Sequence, residues 1–377
     1  MHFRSAFLFG FSFIFFSLSF SQPTFTDNTI STSADESRSV YAVDVDGDGD
    51  MDVLSASYND DKIAWYENNG SESFTEHVIS TLADGAFSVH AKDVDGDGDM
   101  DVLSSSTIDS KIAWYENDGN ENFTEHAIST SAGWALSVHA ADVNGDGDMD
   151  VLSSSGSDNS KIAWYENNGS ESFTEHVIST SADGAADVYT ADVDGDGDMD
   201  VLSASYNDDK IAWYENNGNE IFTENVISTS ANDAFSVYAA DVDEDGDMDV
   251  LSASSNDNKI AWYENDGSES FTEHAISTSA NGALSVYATD VDGDGDMDVL
   301  SASRFDDKIA WYENDGSEIF TENAISTSAD DARSVYAVDV DGDGDLDVLS
   351  ASSNDSKIAW YEQDESPFKP QTKAELQ

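Results

Sequence analysis

The chain has no cysteine, which excludes disulfides, thiolate metal sites and a lipid-modified cysteine anchor. Basic residues are scarce: 14 Lys and Arg stand against 79 Asp and Glu, for a formal charge of -65. Nucleic acid and anionic membrane both need a basic footprint, so neither is expected as a partner. Beyond the N-terminus no segment is apolar enough to cross a bilayer, so no membrane insertion is expected. Acidity of this degree could mean disorder, but 11% aromatic residues and regularly placed Trp and Tyr argue for a packed protein.

What is present begins with an expected secretory signal over residues 1–21. Arg4 gives the positive start, Phe7 to Phe16 the apolar stretch, and Ser19-Phe20-Ser21 the cleavage pattern before Gln22. The expected location is therefore secreted, extracellular or cell-surface, with the periplasm as a variant. In an exported chain without disulfides, metal is the natural alternative staple. Residues 22–362 form one repeat array and 363–377 a short polar tail with Pro367 and Pro370.

The array is marked by a nine-residue run, Asp-Val-Asp-Gly-Asp-Gly-Asp-Met-Asp or a near copy. It starts at Asp44, Asp93, Asp142, Asp192, Asp241, Asp290 and Asp339, in steps of 49 or 50 residues. Each copy then reads as four short strands, A to D, bounded by Asn, Asp, Gly or Ser. In the second copy these centre on Ser88-Val89-His90-Ala91, Val102-Leu103-Ser104, Ile112-Ala113-Trp114-Tyr115 and Phe123-Thr124-Glu125-His126. Strand C is apolar on both faces, which requires cover on both sides. A four-stranded propeller blade has this period and supplies that cover.

The termini point to closure. Phe25 to Thr32 reads as a strand D with no A, B or C before it, and Lys357 to Glu362 as a strand C with no D after it. The N-terminal strand is therefore expected to complete the last blade of an all-β, seven-bladed ring and to hide its edge.

A run of carboxylates this dense repels itself unless a cation sits among them. Alternate side chains of a tight loop can all turn inward, and Gly at position 6 permits the turn. The candidate ligands are Asp44, Asp46, Asp48, Asp50 and Asp52; Asp93, Asp95, Asp97, Asp99 and Asp101; Asp142, Asn144, Asp146, Asp148 and Asp150. The later copies offer Asp192, Asp194, Asp196, Asp198 and Asp200; Asp241, Asp243, Asp245, Asp247 and Asp249; Asp290, Asp292, Asp294, Asp296 and Asp298; and Asp339, Asp341, Asp343, Asp345 and Asp347. Oxygen donors of this kind suit calcium, up to seven ions, one per copy, chiefly as fold stabilisers. An EF-hand is excluded because Ser55 and its equivalents stand where the twelfth-position Glu would be. With no thiols and only seven His, zinc and copper sites are not expected.

These runs resemble the calcium loop of the FG-GAP-like (VCBS) repeat family, which is similar to the seven-bladed propeller of integrin α subunits. The resemblance covers roughly residues 25–362. It implies ligation through positions 1, 3, 5 and 9 and the main-chain carbonyl of position 7. Asn144 at position 3 keeps an oxygen, and Glu244 at position 4 leaves every ligand in place. The family's Phe-Gly and Gly-Ala-Pro signatures are not literal here, so the likeness is to the VCBS branch rather than to integrins.

In a propeller the A–B and C–D hairpins share one face, and the B–C and D–A connections share the other. The Asp loops are uniform; variation gathers on the second face. Beyond the signal the only arginines are Arg38, Arg304 and Arg333, all expected on one arc of that face, Arg304 in a B–C turn and the others in D–A connections. Arginine forks suit carboxylate or sulfate, so Arg38, Arg304, the neighbouring Phe305 and Arg333 are candidate contacts for an acidic glycan. Trp134, the only tryptophan outside strand C, would stack on a sugar ring or pack at a blade junction. The strand C tryptophans read as inter-blade core.

Catalysis needs a group unlike its symmetry mates, and no such nucleophile or acid–base pair stands out. The reading is a secreted calcium-binding module, for adhesion or binding, with an unknown glycan or protein ligand. The alternatives are a purely structural surface protein and a propeller-type polysaccharide lyase or hydrolase.

Overall fold

The computed structural model describes residues 22–156, 160–170 and 172–364. The expected signal at 1–21 and the tail from 365 onward lie outside the described residues. Seven four-stranded antiparallel sheets make a closed β-propeller with no helix among the described residues. Within blade 1, strand A is Ser37–Val43, B is Asp52–Ser57, C is Lys62–Asn68 and D is Phe74–Ser80.

Closure is as expected. Thr24–Ser31 pairs antiparallel with Lys357–Asp364, placing Asn28 opposite Trp360 and completing blade 7. That last strand continues to Asp364, past the expected boundary at 362. The N-terminal strand covers strand C of the last sheet, which would otherwise be a bare edge free to slip or aggregate.

The core lies between blades rather than within them. Leu54, Ile63 and Trp65 of blade 1 pack on Ala86, Val102 and Tyr115 of blade 2, and the same interlock recurs around the ring. At the closing junction Leu349, Ile358 and Trp360 meet Val53, Ala64 and Tyr66. All seven strand C tryptophans are essentially buried. Burial of that size is why each blade needs its neighbours: removing one such ring would cost about 3–5 kcal/mol.

Polar clasps add to this packing. Asn117 Nδ2, at the end of strand C in blade 2, donates to the Val45 carbonyl of the preceding Asp loop at 3.1 Å, and Asn68 reaches the Val340 carbonyl at 3.0 Å. Nearer the axis, the Val89 amide of blade 2 donates to Ser39 Oγ of blade 1 at 3.3 Å.

Strand A positions the site. The seven A strands (Ser37–Val43, Ala86–Lys92, Ala135–Ala141, Ala185–Ala191, Ala234–Ala240, Ala283–Thr289 and Ala332–Val338) each carry a β-bulge at their second residue. In blade 1, Ser37 pairs with Ser57 and Ser39 with Ala56, so Arg38 is the extra residue. A bulge breaks the alternation of side chains. Consecutive residues such as Arg38 and Ser39 can therefore both face the axis.

Candidate functional site

The Asp loops lie between strands A and B. In blade 1, Asp44 accepts the amides of Gly47 and Gly49 at 2.8 and 3.0 Å, and Asp46 and Asp48 accept those of Asp48 and Asp50. The backbone turns through left-handed Gly47 and Gly49, at φ 76° and 100°. Glu244 takes the Gly47 position in blade 5 with φ 60°, so the loop keeps its path there. Oxygens of Asp44, Asp46 and Asp48 lie within 4.8 Å of one another, as do those of Asp93, Asp95 and Asp101, and of Asp241, Asp243 and Asp249.

Two loop positions behave differently from the rest. Position 9 is wholly buried in blade 1: Asp52 accepts the Val45 amide at 2.9 Å and the Asn68 amide at 2.7 Å. The Trp65 indole also faces this carboxylate and favours its charge, although the indole N–H makes no hydrogen bond by strict geometry. Burial nevertheless pushes Asp52 up to about 6, Asp347 to about 7 and Asp298 to about 8. Position 7 turns away: the side chains of Asp50, Asp99, Asp148, Asp198, Asp247 and Asp296 lean over Gly70, Gly119, Gly169, Gly218, Gly267 and Gly316 of the C–D turns. Converging, partly dehydrated carboxylates whose charge the protein itself only partly compensates are a donor set that fits a hard divalent cation.

The opposite face carries an axial well. A mouth of about 510 Å³ is lined by Arg38, Arg304 and Arg333, with the carboxylates Glu36 and Asp233 near them, and by Phe87, Trp134, Tyr206 and Phe235 around the rest, with Tyr58 beside Arg38. Below it a throat of about 120 Å³ is ringed by Ser39, Ser88, Ser137, Asp187, Ser236, Ser285 and Ser334. Beneath the serines is a complete circle of aromatic rings, Tyr41, His90, His139, Tyr189, Tyr238, Tyr287 and Tyr336. Their centroids are 4.7–5.0 Å apart from neighbour to neighbour.

The three arginines and Trp134 thus converge, as their connection patterns suggested, but with corrections. Arg38 and Arg333 are bulge residues of strand A, not members of the D–A connections. Phe305 is not in the lining of the well; it lies 59% exposed beneath the Arg304 guanidinium, 4.2 Å away, and against Gly282. Arg38 stacks over Tyr58 and Phe87 and pairs with Glu36, while Arg333 pairs with Asp331. Burial and then the Arg333 charge hold Arg38 down at about 10, and the same two causes lower Arg304. The Nε of each of the three is buried without a hydrogen-bond partner.

Trp134 is 44% exposed and adopts φ 54°, a conformation costly for a bulky residue. Its equivalents in other blades include Gly85, Gly184 and Gly282, all left-handed. In blades 1, 5 and 7 the position is held by Glu36, Asp233 and Asp331, also left-handed, and the Trp134 ring lies over Gly156.

Three features escaped the sequence reading. Asp187 does stand apart from its symmetry mates, replacing serine in the throat; it accepts Ser137 Oγ at 2.8 Å and the amides of Val188 and Val237 at 2.9 and 3.1 Å. Tyr58 and Tyr206 come from B–C turns that look like ordinary polar hairpins. The axial ring was visible only as a Tyr-to-His exchange at one strand position.

Comparison with known proteins agrees with this architecture. A family model described as FG-GAP-like repeat matches residues 44–104, 93–153, 142–203, 192–252, 241–301 and 290–350. No curated protein matches the chain in sequence. A solved structure titled "Streptogramin B lyase structure" superposes with TM-score 0.65 at 15% identity, over 91% of this chain and 98% of that one, a likeness of fold alone. The chain belongs to the FG-GAP-like repeat family.

Proposed function

We propose that this propeller is an exported, calcium-stabilised binding and adhesion module whose axial well receives an acidic glycan. The observation that carries the reading is the placement of its arginines. In a chain of charge -65, all three arginines of the described residues line one cavity, beside an aromatic wall. A guanidinium fork recognises carboxylate or sulfate in two-point fashion, and flat aromatic faces suit the body of a sugar ring.

In this reading each Asp loop holds one Ca²⁺ through positions 1, 3, 5 and 9 with the carbonyl of position 7. The ion supplies charge neutralisation and pins the A–B hairpin. The position 9 residue ties that site to strand C, accepting the loop amide of Val45 at one oxygen and the strand C amide of Asn68 at the other. The loops stiffen the scaffold from one face, and recognition takes place on the other.

A catalytic reading would rest on Asp187, the one carboxylate in the throat. Both of its oxygens are already engaged, by Ser137 and Val188 at one and by Val237 at the other, so it serves better as a clasp between blades. The test of the binding reading is a glycan array in calcium, comparing the native protein with the Arg38→Ala/Arg304→Ala/Arg333→Ala variant. Loss of acidic-glycan binding with the all-β fold retained, checked by circular dichroism, is the expected result. Unchanged binding discards the well.

A further inference from the structure

Building on that reading, we infer that the well recognises the terminus of an acidic glycan, inserted end-on along the propeller axis, rather than an internal stretch of the polymer. Three observations carry this.

The first is the shape of the mouth. Its lining includes Tyr58, Thr107, Trp134, Tyr206, Phe235, Arg304 and Arg333, one residue from every blade. A wall drawn from all seven blades is a closed rim, with no open side through which a chain could enter and leave across the face. An internal stretch of polymer needs two exits; a well has one.

The second is the floor. The seven axial rings form an unbroken circle below the serines, each centroid 4.7–5.0 Å from the next. This circle constricts the axis, and the proposed ligand stops above it, at the serines.

The third is the order of chemistry with depth. At the throat, Ser39, Ser285 and Ser334 each accept the Val amide of the next blade, at 3.3–3.4 Å, which leaves their own O–H free to donate. Arg38 and Arg333 stand directly above, on the blade 1 and blade 7 side, with Asp187 across the throat in blade 4. Hydroxyls at the tip, an anionic substituent one layer up and a ring face against Phe87 or Phe235 describe a terminal acidic sugar. A terminal peptide carboxylate would satisfy the arginines but would have less use for a ring of serines at the tip.

The test uses the full protein in calcium, titrated calorimetrically with two ladders of increasing length, oligogalacturonides and sulfated galactan oligosaccharides. End-on recognition predicts one protein bound per chain at every length, with affinity nearly independent of length beyond the first two or three sugars. Modification of the inserted end should abolish binding, and modification of the other end should leave it intact. Ala186→Phe supplies the structural control. The equivalent bulge positions already hold Phe87 and Phe235, so the strand tolerates this ring, which would fill the throat. Its melting temperature should match the native value while affinity falls by at least roughly tenfold, or about 1.4 kcal/mol.

Stoichiometry that rises with chain length, or full binding by chains blocked at both ends, overturns end-on insertion and leaves the well as a binding site. Binding of neither ladder overturns the acidic-glycan reading itself. Binding of acidic peptides in place of both ladders reassigns the well to a protein terminus.

Discussion

Lys357 Nζ lies 2.8 Å from Asp27 Oδ1, joining the last strand C of the ring to the N-terminal strand that completes its blade. In blade 1 the corresponding lysine, Lys62, meets Glu76 of its own strand D at 2.8 Å and caps the Ser33 carbonyl at 2.9 Å. The repeat thus reuses one lysine–acid contact, and in blade 7 the contact spans the two ends of the array. Asp27→Asn should cost less than about 1 kcal/mol, because the acid is partly exposed and screened. Removing residues 22–31 should do far more, since it bares the edge of the last blade. A large fall in melting temperature with self-association on sedimentation is expected; a monomer of native stability would mean that the closing strand is dispensable.

The last blade lacks one clasp. Gln363 stands where the other blades carry Asn, and its buried amide makes no hydrogen bond at either end. Asn314, by contrast, reaches the Val242 carbonyl at 3.4 Å, and Asn117 reaches Val45 at 3.1 Å. Gln363→Asn should restore the clasp and raise stability by about 1 kcal/mol. Thermal or urea unfolding measures it, and a destabilised variant would show that the longer side chain fills space that Asn leaves empty.

Calcium and protons should compete at the Asp loops. Burial raises Asp52 to about 6 and Asp298 to about 8, well above the ordinary carboxylate value. For the metal-free protein the sign is clear. The stabilising contribution of the protonated form is complete below about pH 4 and is lost as pH rises through 6 to 8. The calcium-loaded protein should behave oppositely, because the ion needs ionised ligands and its affinity falls as they protonate. Each ion at a hundredfold excess over its dissociation constant adds about 2.7 kcal/mol, so chelation at pH 8 should lower the melting temperature by more than about 10 °C. Melting curves from pH 4.5 to 8.5, with calcium or with EDTA, should converge toward the acid end. Parallel profiles would rule out carboxylate-held calcium.

The axial ring has its own acid sensitivity. Burial, followed by the Lys92 charge, holds His139 down at about 4, and burial, His139 and Lys92 hold His90 well below its ordinary value. A depressed folded pKa means that the stabilising contribution is full above about pH 6.5 and is lost as pH falls toward 4. For His139 that loss amounts to roughly 3 kcal/mol. Replacing both with tyrosine (His90→Tyr/His139→Tyr), the residue at the other five ring positions, should flatten the acid limb of the stability profile of the calcium-loaded protein. An unchanged limb would mean that other groups carry it.

Much of this architecture was legible in the sequence because the repeat is so regular. The spacing of the Asp runs gave the number of blades. The lone strand D at Phe25 and the lone strand C at Lys357 gave the closure. The doubly apolar Ile-Ala-Trp-Tyr segments marked the inter-blade core. These are local or periodic features, and side-chain chemistry at fixed intervals suffices to reveal them. The arginines could be traced to one face by the same bookkeeping.

What the linear pattern left open depends on geometry that only closing the ring creates. A bulge in each strand A turns Arg38 and Arg333 from edge residues into walls of a well, and strand alternation gives no warning of it. Trp134 stays in its connection, as expected, and closing the ring brings it into the same cavity. Asp187 looked like one acid among 79 and stands alone in the throat. Residues about 49 positions apart become neighbours only around the axis. The sequence by itself determined the blade, its number and the donor chemistry of its loops. The tertiary structure decided which of the differences between copies face one another, because only seven-fold closure brings those positions together around a single axis.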